Sequence, residues 1–279
     1  MTSQVSNPIE DASAYNGRMA RSLMDKIFFA DKIETDCIVD FGCADGALLK
    51  ALSPWVPGAA LIGIDNDSAM IQLARENLKD CKPHSRIDFF SDMKQGLLCS
   101  QILKAEGLIK NATLNLSSVI HEIYNYSSVD EIQRFWNDLW KTENGFAFWD
   151  YIVIRDMSAS KTIDRPSYPD DIAKVYQKFL HTAEFNDFES IWGSVENNRN
   201  LVHFLLKYKY MKPNWRREVR ENYFPIYREQ LLSLIPSCYR IVYHEHYVLP
   251  YIQRTVESDF GINLKDPTHI KIILQKNMI

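Results

Sequence analysis

A chain of 279 residues, 46% apolar and 24% charged, has the composition of an ordinary globular protein and length enough for one large α/β unit, which excludes disordered, collagen-like and membrane-embedded classes. The formal net charge of −4 provides no overall attraction for polyanions, although a local patch can still do so. The five cysteines (Cys37, Cys43, Cys81, Cys99, Cys238) are odd in number and lack CxxC spacing, so reduced thiols are expected rather than a disulfide frame or a zinc site.

The opening stretch MTSQVSNPIEDASAYNG is polar and acidic, unlike a signal peptide, and nowhere do eighteen uncharged apolar residues run together. A cytoplasmic location with no membrane partner is expected. Tyr15–Phe29 reads as a first helix, with Met19, Leu23, Met24, Ile27 and Phe28 as its apolar positions. Cys37–Phe41 follows as a strand and Ala47–Leu52 as a helix. Ala59–Ile64 is a second strand, Ser68–Leu78 a helix, Arg86–Phe90 a third strand and Ala112–Leu116 a fourth. Ser127-Ser128 and the acidic residues after them predict a serine-capped helix over Val129–Trp140. FAFWDYIVI, Phe146–Ile154, is aromatic and β-branched enough for a fifth strand. Beyond Asp156 come three helical stretches, Asp170–Phe185, Asn198–Tyr210 and Trp215–Leu234. Two closing strands, Tyr239–Leu249 and His269–Lys276, end the chain. Strands alternating with helices imply a parallel sheet with right-handed crossovers, whose ligands bind at the carboxyl ends of the strands.

At the end of the first strand, VDFGCADG turns through Gly42, Cys43, Ala44, Asp45 and Gly46 into a helix. Such a turn presents backbone N–H groups and a helix start to a nucleotide-like cofactor, with glycine allowing close approach. Asp65, nineteen positions after Gly46 at the end of the second strand, can accept hydrogen bonds from both hydroxyls of a ribose. Asp92, after the third strand, is placed to accept the amino group of an adenine. Each feature has a plainer reading as a tight turn, a helix cap or a solvated carboxylate; three in successive strands at one edge favour the cofactor. The G-x-A-x-G register speaks against the G-x-G-x-x-G of nicotinamide dinucleotide oxidoreductases.

Asp40 followed by Gly42-x-Ala44-x-Gly46 resembles the first motif, D-x-G-x-G-x-G, of the class I S-adenosylmethionine-dependent methyltransferases, departing from it by one methyl group at Ala44. The resemblance covers about Tyr15–Met157 and the closing strands. It implies an α/β fold, a seven-stranded mostly parallel sheet of the class I methyltransferase type whose last strand is antiparallel. The chain would then divide into a cofactor-binding core at 1–157, a helical insertion or lid at 158–234 between strands five and six, and closing strands at 235–279. It further implies S-adenosyl-L-methionine as cofactor, with Asp40, Gly42, Cys43, Ala44 and Gly46 shaping the methionine side. Asp65 would hold the ribose, Asn66 and Met70 would lie beside the adenine, and Ser91, Asp92 and Met93 would flank the base. Tyr15 and Arg18 match an upstream Y-x-x-R-M helix whose residues reach the methionine carboxylate; a helix merely packing on the sheet is the alternative.

By the same resemblance, NLSSVIHEIYNY lies beneath the sulfonium, so that Asn115, Leu116 and Ser117 line the cofactor and His121 is the catalytic candidate. Imidazole takes a proton near neutral pH, as an oxygen or nitrogen acceptor requires; ordering of the loop is its other reading. Alignment of acceptor, methyl carbon and sulfur with exclusion of water can also suffice without a base. His121-Glu122 does not open an HExxH motif, since Asn125 stands four positions on. Arg155 and Asp156 either bind a polar substrate or pair with each other. His244 and His246, two apart on a strand, read as core or edge residues. In the insertion, Lys207, Lys209, Lys212, Arg216, Arg217 and Arg220 interleave with Tyr208, Tyr210 and Trp215. This composition serves single-stranded nucleic acid, and equally a packed helix with solvated cations. A small-molecule methyl acceptor is expected, with RNA as the alternative and a non-catalytic cofactor-binding regulator as a third reading.

Overall fold

The computed structural model describes residues 22–79, 85–143, 146–211 and 214–277. Its centre is a seven-stranded sheet in the order β3-β2-β1-β4-β5-β7-β6, formed by β1 (Cys37–Phe41), β2 (Ala60–Ile64), β3 (Arg86–Phe90), β4 (Ala112–Ser117), β5 (Tyr151–Met157), β6 (Tyr239–Tyr247) and β7 (His269–Lys276). The first five strands pair in parallel, and β7 runs antiparallel to both β5 and β6. This is the expected class I methyltransferase arrangement.

The central strands are apolar because both of their faces are covered. Successive residues divide between two cores. Val39, Ile62, Ile152, Ile154 and Ile272 enter one cluster, while their neighbours Ile38, Leu61, Val153 and Ile273 enter the other. Helices connect these strands in turn: α1 (Leu23–Lys26) before β1, α2 (Ala47–Leu52) after it, α3 (Ser68–Leu78) after β2 and α4 (Met93–Ala105) after β3. After β4 come α5 (Ile120–Tyr126) and α6 (Val129–Leu139). The serine cap on α6 is a full capping box, Ser128 with Glu131.

Between β5 and β6 the chain forms α7 (Pro169–Phe179), α8 (Ala183–Trp192), α9 (Asn198–Lys207), α10 (Trp215–Glu218) and α11 (Arg228–Ser233). The first four share a core of their own, including Phe185, Phe188, Phe204 and Phe224, which also takes Val256 and Phe260 from α12 (Pro250–Phe260) between β6 and β7, whereas Leu231 of α11 packs into the sheet's cluster.

Several boundaries differ from expectation for local reasons. Phe146–Ala147 belongs to a short hairpin with Thr142–Glu143, and β5 starts only at Tyr151. Asp150 accepts from Ala112 N–H and pairs with Lys104 and Lys276, which fixes the strand's beginning. β5 continues through Arg155 and Asp156 because Lys271 and Ile270 of β7 pair with them. The stretch Asp170–Phe185 is two helices, since the Thr182 side chain caps a new one by accepting from Phe185 N–H. Trp215–Leu234 is also two helices, separated by a span that contains Pro225. Tyr239–Leu249 ends as a strand at Tyr247, and Pro250 starts α12, which Gly261 closes in a left-handed conformation. The sequence pattern predicts no element at α4 or α12.

Candidate active site

The parallel register puts Phe41 beside Ile64, Ile64 beside Phe90 and Phe41 beside Leu116. The residues that follow, Gly42, Asp65, Ser91 and Ser117, therefore emerge on one edge of the sheet. Gly42 and Cys43 donate their backbone N–H groups to the carbonyl of Ile64, at 2.8 and 3.0 Å, which ties the turn to β2. Gly42 and Gly46 have φ of +80° and +77°, and Ala44 adopts +45°. A Cβ on Gly42 would stand 2.9 Å from Val119 Cγ2, and one on Gly46 would stand 2.9 Å from Phe89 Cζ. The glycines thus answer first to backbone conformation and to protein packing around the turn.

Asp65 Oδ2 accepts Ala44 N–H at 2.8 Å and Oδ1 accepts Asp67 N–H at 2.9 Å. Each oxygen keeps a lone pair for a ribose hydroxyl. Burial pushes the Asp65 carboxyl above its ordinary value, against these two backbone bonds. Asp92 is exposed and caps α4 through Gln95 N–H at 3.1 Å. Ser91, Met93 and Asn66 are exposed beside it and Met70 is half-buried.

Asp40 lies beneath the turn, buried, with Oδ1 accepting from Asn115 Nδ2 at 2.8 Å; burial pushes its carboxyl up to about 6. Cys43 and Leu116 are buried, so these two face the protein interior. Ser117 Oγ is buried at the same edge with no hydrogen-bond partner among the described residues. An orphaned hydroxyl at the end of β4, an Asp65 carboxylate with spare lone pairs and a row of strand-end backbone groups together fit an adenosyl cofactor. Tyr15 and Arg18 lie outside the described residues.

A cavity of about 80 Å³ adjoins this edge. The core supplies Ser118, His121, Glu122, Arg155, Met157 and His269; the helical segment supplies Leu206, Tyr210, Glu218, Glu221 and Tyr223. His121 is buried, and its Nδ1 is 2.7 Å from Asp156 Oδ1. Asp156 also accepts the backbone N–H groups of Ile120 and Met157, each at 2.7 Å. Burial opposes a charge on His121, but the Asp156 carboxylate overrides it and lifts the imidazole to about 9. His121 is therefore a cation at neutral pH. With Nδ1 engaged by Asp156, the geometry suits the ordering of the α5 loop, the other reading of His121.

Arg155 does not pair with Asp156. Neighbours on a strand point to opposite faces, and Arg155 instead bonds Asp25 of α1 at 2.8 Å and Ser118 Oγ at 3.0 Å. Asp25 further receives Lys271 Nζ at 2.6 Å and Tyr247 OH at 2.6 Å. Next to Asp25, Lys26 is buried, and burial lowers its ammonium to about 8 despite Asp40, Asp156 and Glu122 nearby. No motif announced Lys26 or the Asp156–His121 pair.

The basic-aromatic stretch after α9 is divided: Lys209, Arg216 and Arg220 are exposed, while other members turn inward. Lys207, Tyr208 and Trp215 are buried, and Lys207 Nζ donates to the carbonyls of Glu218 and Glu221. Lys209 pairs with Asp259 at 2.5 Å. Arg217 bonds Glu221 at 2.8 Å and Glu122 at 3.1 Å, while Arg216 and Arg220 are exposed. Lys212 lies outside the described residues. His246 Nε2 contacts the carbonyl of Ser158 at 3.0 Å, and among the described residues no three His, Cys, Asp or Glu side chains group as a metal site. No described helix is long and apolar enough to cross a membrane.

Residues 38–98, from β1 into α4, match the family model of a methyltransferase domain. No curated protein matches the chain by sequence. Similar solved structures include the plantazolicin methyltransferase BpumL in complex with SAH, at 14% identity over 96% of this chain and 89% of that one, with a TM-score of 0.49. The YcgJ protein from Bacillus subtilis is 12% identical over 93% of this chain and 100% of that one, at 0.46. The N-methyltransferase NodS from Bradyrhizobium japonicum WM9 is 12% identical over 96% and 99%, at 0.41. The sheet order and its edge of glycine turn and strand-end carboxylates define a methyltransferase fold. Residues 38–98 carry the methyltransferase-domain match, and the sheet that contains them has the strand order of the class I fold.

Proposed function

We propose that this enzyme methylates a small molecule admitted to the cavity between the sheet edge and the helical segment. The observation that carries the reading is the cavity's composite wall: His121 and Arg155 from the core face Glu221 and Tyr223 from the insertion. When bound, S-adenosylmethionine supplies an activated methyl group on a sulfonium. Asp65 holds the ribose, Asn66, Met70, Ser91, Asp92 and Met93 border the adenine, and Ser117 with the 42–46 turn borders the methionine side. Asp40 acts from below by fixing Asn115 and the turn.

His121, held by Asp156, orders the start of α5 and presents a positive imidazole to the cavity. Rate then comes from alignment and exclusion of water. A cavity of about 80 Å³ suits a small acceptor better than RNA, and three of the five described cations of the basic stretch are paired or buried while two of its aromatics, Tyr208 and Trp215, lie in the core. Free thiols at Cys37, Cys43, Cys99 and Cys238 support a cytoplasmic location. The test is calorimetric titration with S-adenosylhomocysteine and NAD, paired with a salt series of single-stranded RNA binding by Arg216→Glu and Arg220→Glu. Homocysteine-product binding with an RNA affinity indifferent to either substitution is expected. Tight NAD binding without the homocysteine product, or RNA affinity lost on charge reversal, overturns the reading.

A further inference from the structure

The cavity wall carries charges of both signs, and their compensation is uneven. The His121 imidazolium is held by Asp156 at 2.7 Å and the Arg155 guanidinium by Asp25 at 2.8 Å. Burial keeps His269 uncharged. Among the carboxylates, Glu221 accepts from both Tyr126 OH at 2.5 Å and Arg217 Nε at 2.8 Å. Glu218 accepts from Tyr223 OH and lies beside Lys207. Glu122 is the most open of the three: one oxygen receives Arg217 at 3.1 Å, a guanidinium it shares with Glu221, His121 lies close enough to favour its charge, and 36% of its side chain stays open to solvent. It stands near enough to Asp65 and Lys26 to feel their charges. Tyr210, Tyr223 and Tyr251 supply aromatic rings to the same wall.

We infer that the methyl acceptor is a small primary or secondary amine, entering as an ammonium that Glu122 binds and deprotonates. The inference rests on the functional reading above. A carboxylate with one oxygen that accepts no hydrogen bond from the described residues binds an ammonium by a charge-assisted hydrogen bond, and tyrosine rings accept the cation and its carbon substituents. The ammonium proton passes to Glu122. The freed nitrogen lone pair then forms a bond to the sulfonium methyl carbon as the carbon–sulfur bond breaks, its electron pair going to sulfur. The products are a methylated ammonium, a neutral thioether and a protonated Glu122, which returns its proton to solvent. His121, already protonated and engaged through Nδ1, cannot take that proton.

The test uses the full chain, titrated first with S-adenosylhomocysteine and then, saturated with it, with benzylamine and with benzoate. Benzylamine is expected to bind at least tenfold more tightly than benzoate. Glu122→Gln is expected to lower benzylamine affinity at least tenfold while leaving homocysteine-product affinity within twofold, and Glu122→Asp, which keeps the charge, to retain most of it. Benzoate binding as well as benzylamine overturns the amine assignment, on the unaltered protein and whether or not Glu122→Gln folds. An unchanged benzylamine affinity in Glu122→Gln removes Glu122 from the role. Failure of the homocysteine product to bind strikes instead at the functional reading.

Discussion

Asp156 and His121 form a buried pair, carboxylate Oδ1 to imidazole Nδ1 at 2.7 Å, in which the aspartate also fastens the backbone on both sides of the site through Ile120 and Met157. The charge that Asp156 puts on His121 can be followed directly. By NMR, His121 should titrate near pH 9, and in Asp156→Asn its midpoint should fall, since the main opposition to burial is then gone and only Glu122 and Glu221 remain. Because the folded-state value is raised, the pair's stabilisation is whole below pH 6.5 and fades as pH rises through 9. Asp156→Asn should therefore cost about 3–5 kcal/mol in urea unfolding at about pH 6 and distinctly less at about pH 9.5. A cost that is the same at both values contradicts a charged His121.

Asp65→Ala should weaken binding of S-adenosylhomocysteine by about 1.5–3 kcal/mol through loss of charge-assisted hydrogen bonds. It should also lower thermal stability, because Ala44 N–H and Asp67 N–H lose their acceptor. Calorimetric affinity equal to that of the parent would mean that the ribose sits elsewhere.

Glycines at positive φ separate two costs. Gly58, at +85°, has nothing within 4 Å of the point that an added methyl carbon would occupy, so Gly58→Ala should cost only the left-handed backbone penalty of about 1–2 kcal/mol. Gly42→Ala adds contact with Val119 at 2.9 Å, and Gly46→Ala adds contact with Phe89 and Ala74. Both should lose more stability than Gly58→Ala and lose cofactor affinity as well. Equal unfolding midpoints for the three variants would refute a role for packing at the turn.

Arg217 and Arg216 are adjacent in sequence and differ in surroundings. Arg217→Ala removes the shared partner of Glu122 and Glu221 and should destabilise by about 3 kcal/mol. Arg216→Ala, on an exposed side chain, should change stability by no more than about 0.5 kcal/mol. Denaturant midpoints that rank the two variants the other way would reverse the assignment of inner and outer cations.

The cofactor edge was legible in the sequence because its elements are local: an apolar strand, a turn of small residues and an acid at the next strand end each lie within a short window. β1, α2, α3, β3 and β7 fall where their periodicity puts them. What was not legible depends on distant partners. β5 extends through Asp156 because β7, far later in the chain, pairs with it. The hairpin at Phe146–Ala147 borrows the aromatic, β-branched look of a core strand. The basic run around Lys207–Arg220 reads as a surface because residue type shows charge but not Glu221, Asp259 or the buried carbonyls that receive it. Alternation along β5 did carry the information that Arg155 and Asp156 face opposite ways; Asp25 and His121, their partners, lie far off in the chain.

The grip of Arg155, Tyr247 and Lys271 on Asp25 has a consequence for assembly. An aspartate near the start of the chain is held by cations and a hydroxyl from β5, β6 and β7, a separation of 222 positions in the case of Tyr247. During synthesis the helix bearing Asp25 and Lys26 leaves the ribosome early and must wait for the final strand before its anchors exist, which makes closure of this wall a late, topologically distant event. A fragment that stops after the matched domain would retain the glycine turn, Asp65 and the packing of Ile27 and Phe29 on Leu49 and Leu52, yet lack every partner of Asp25 named here.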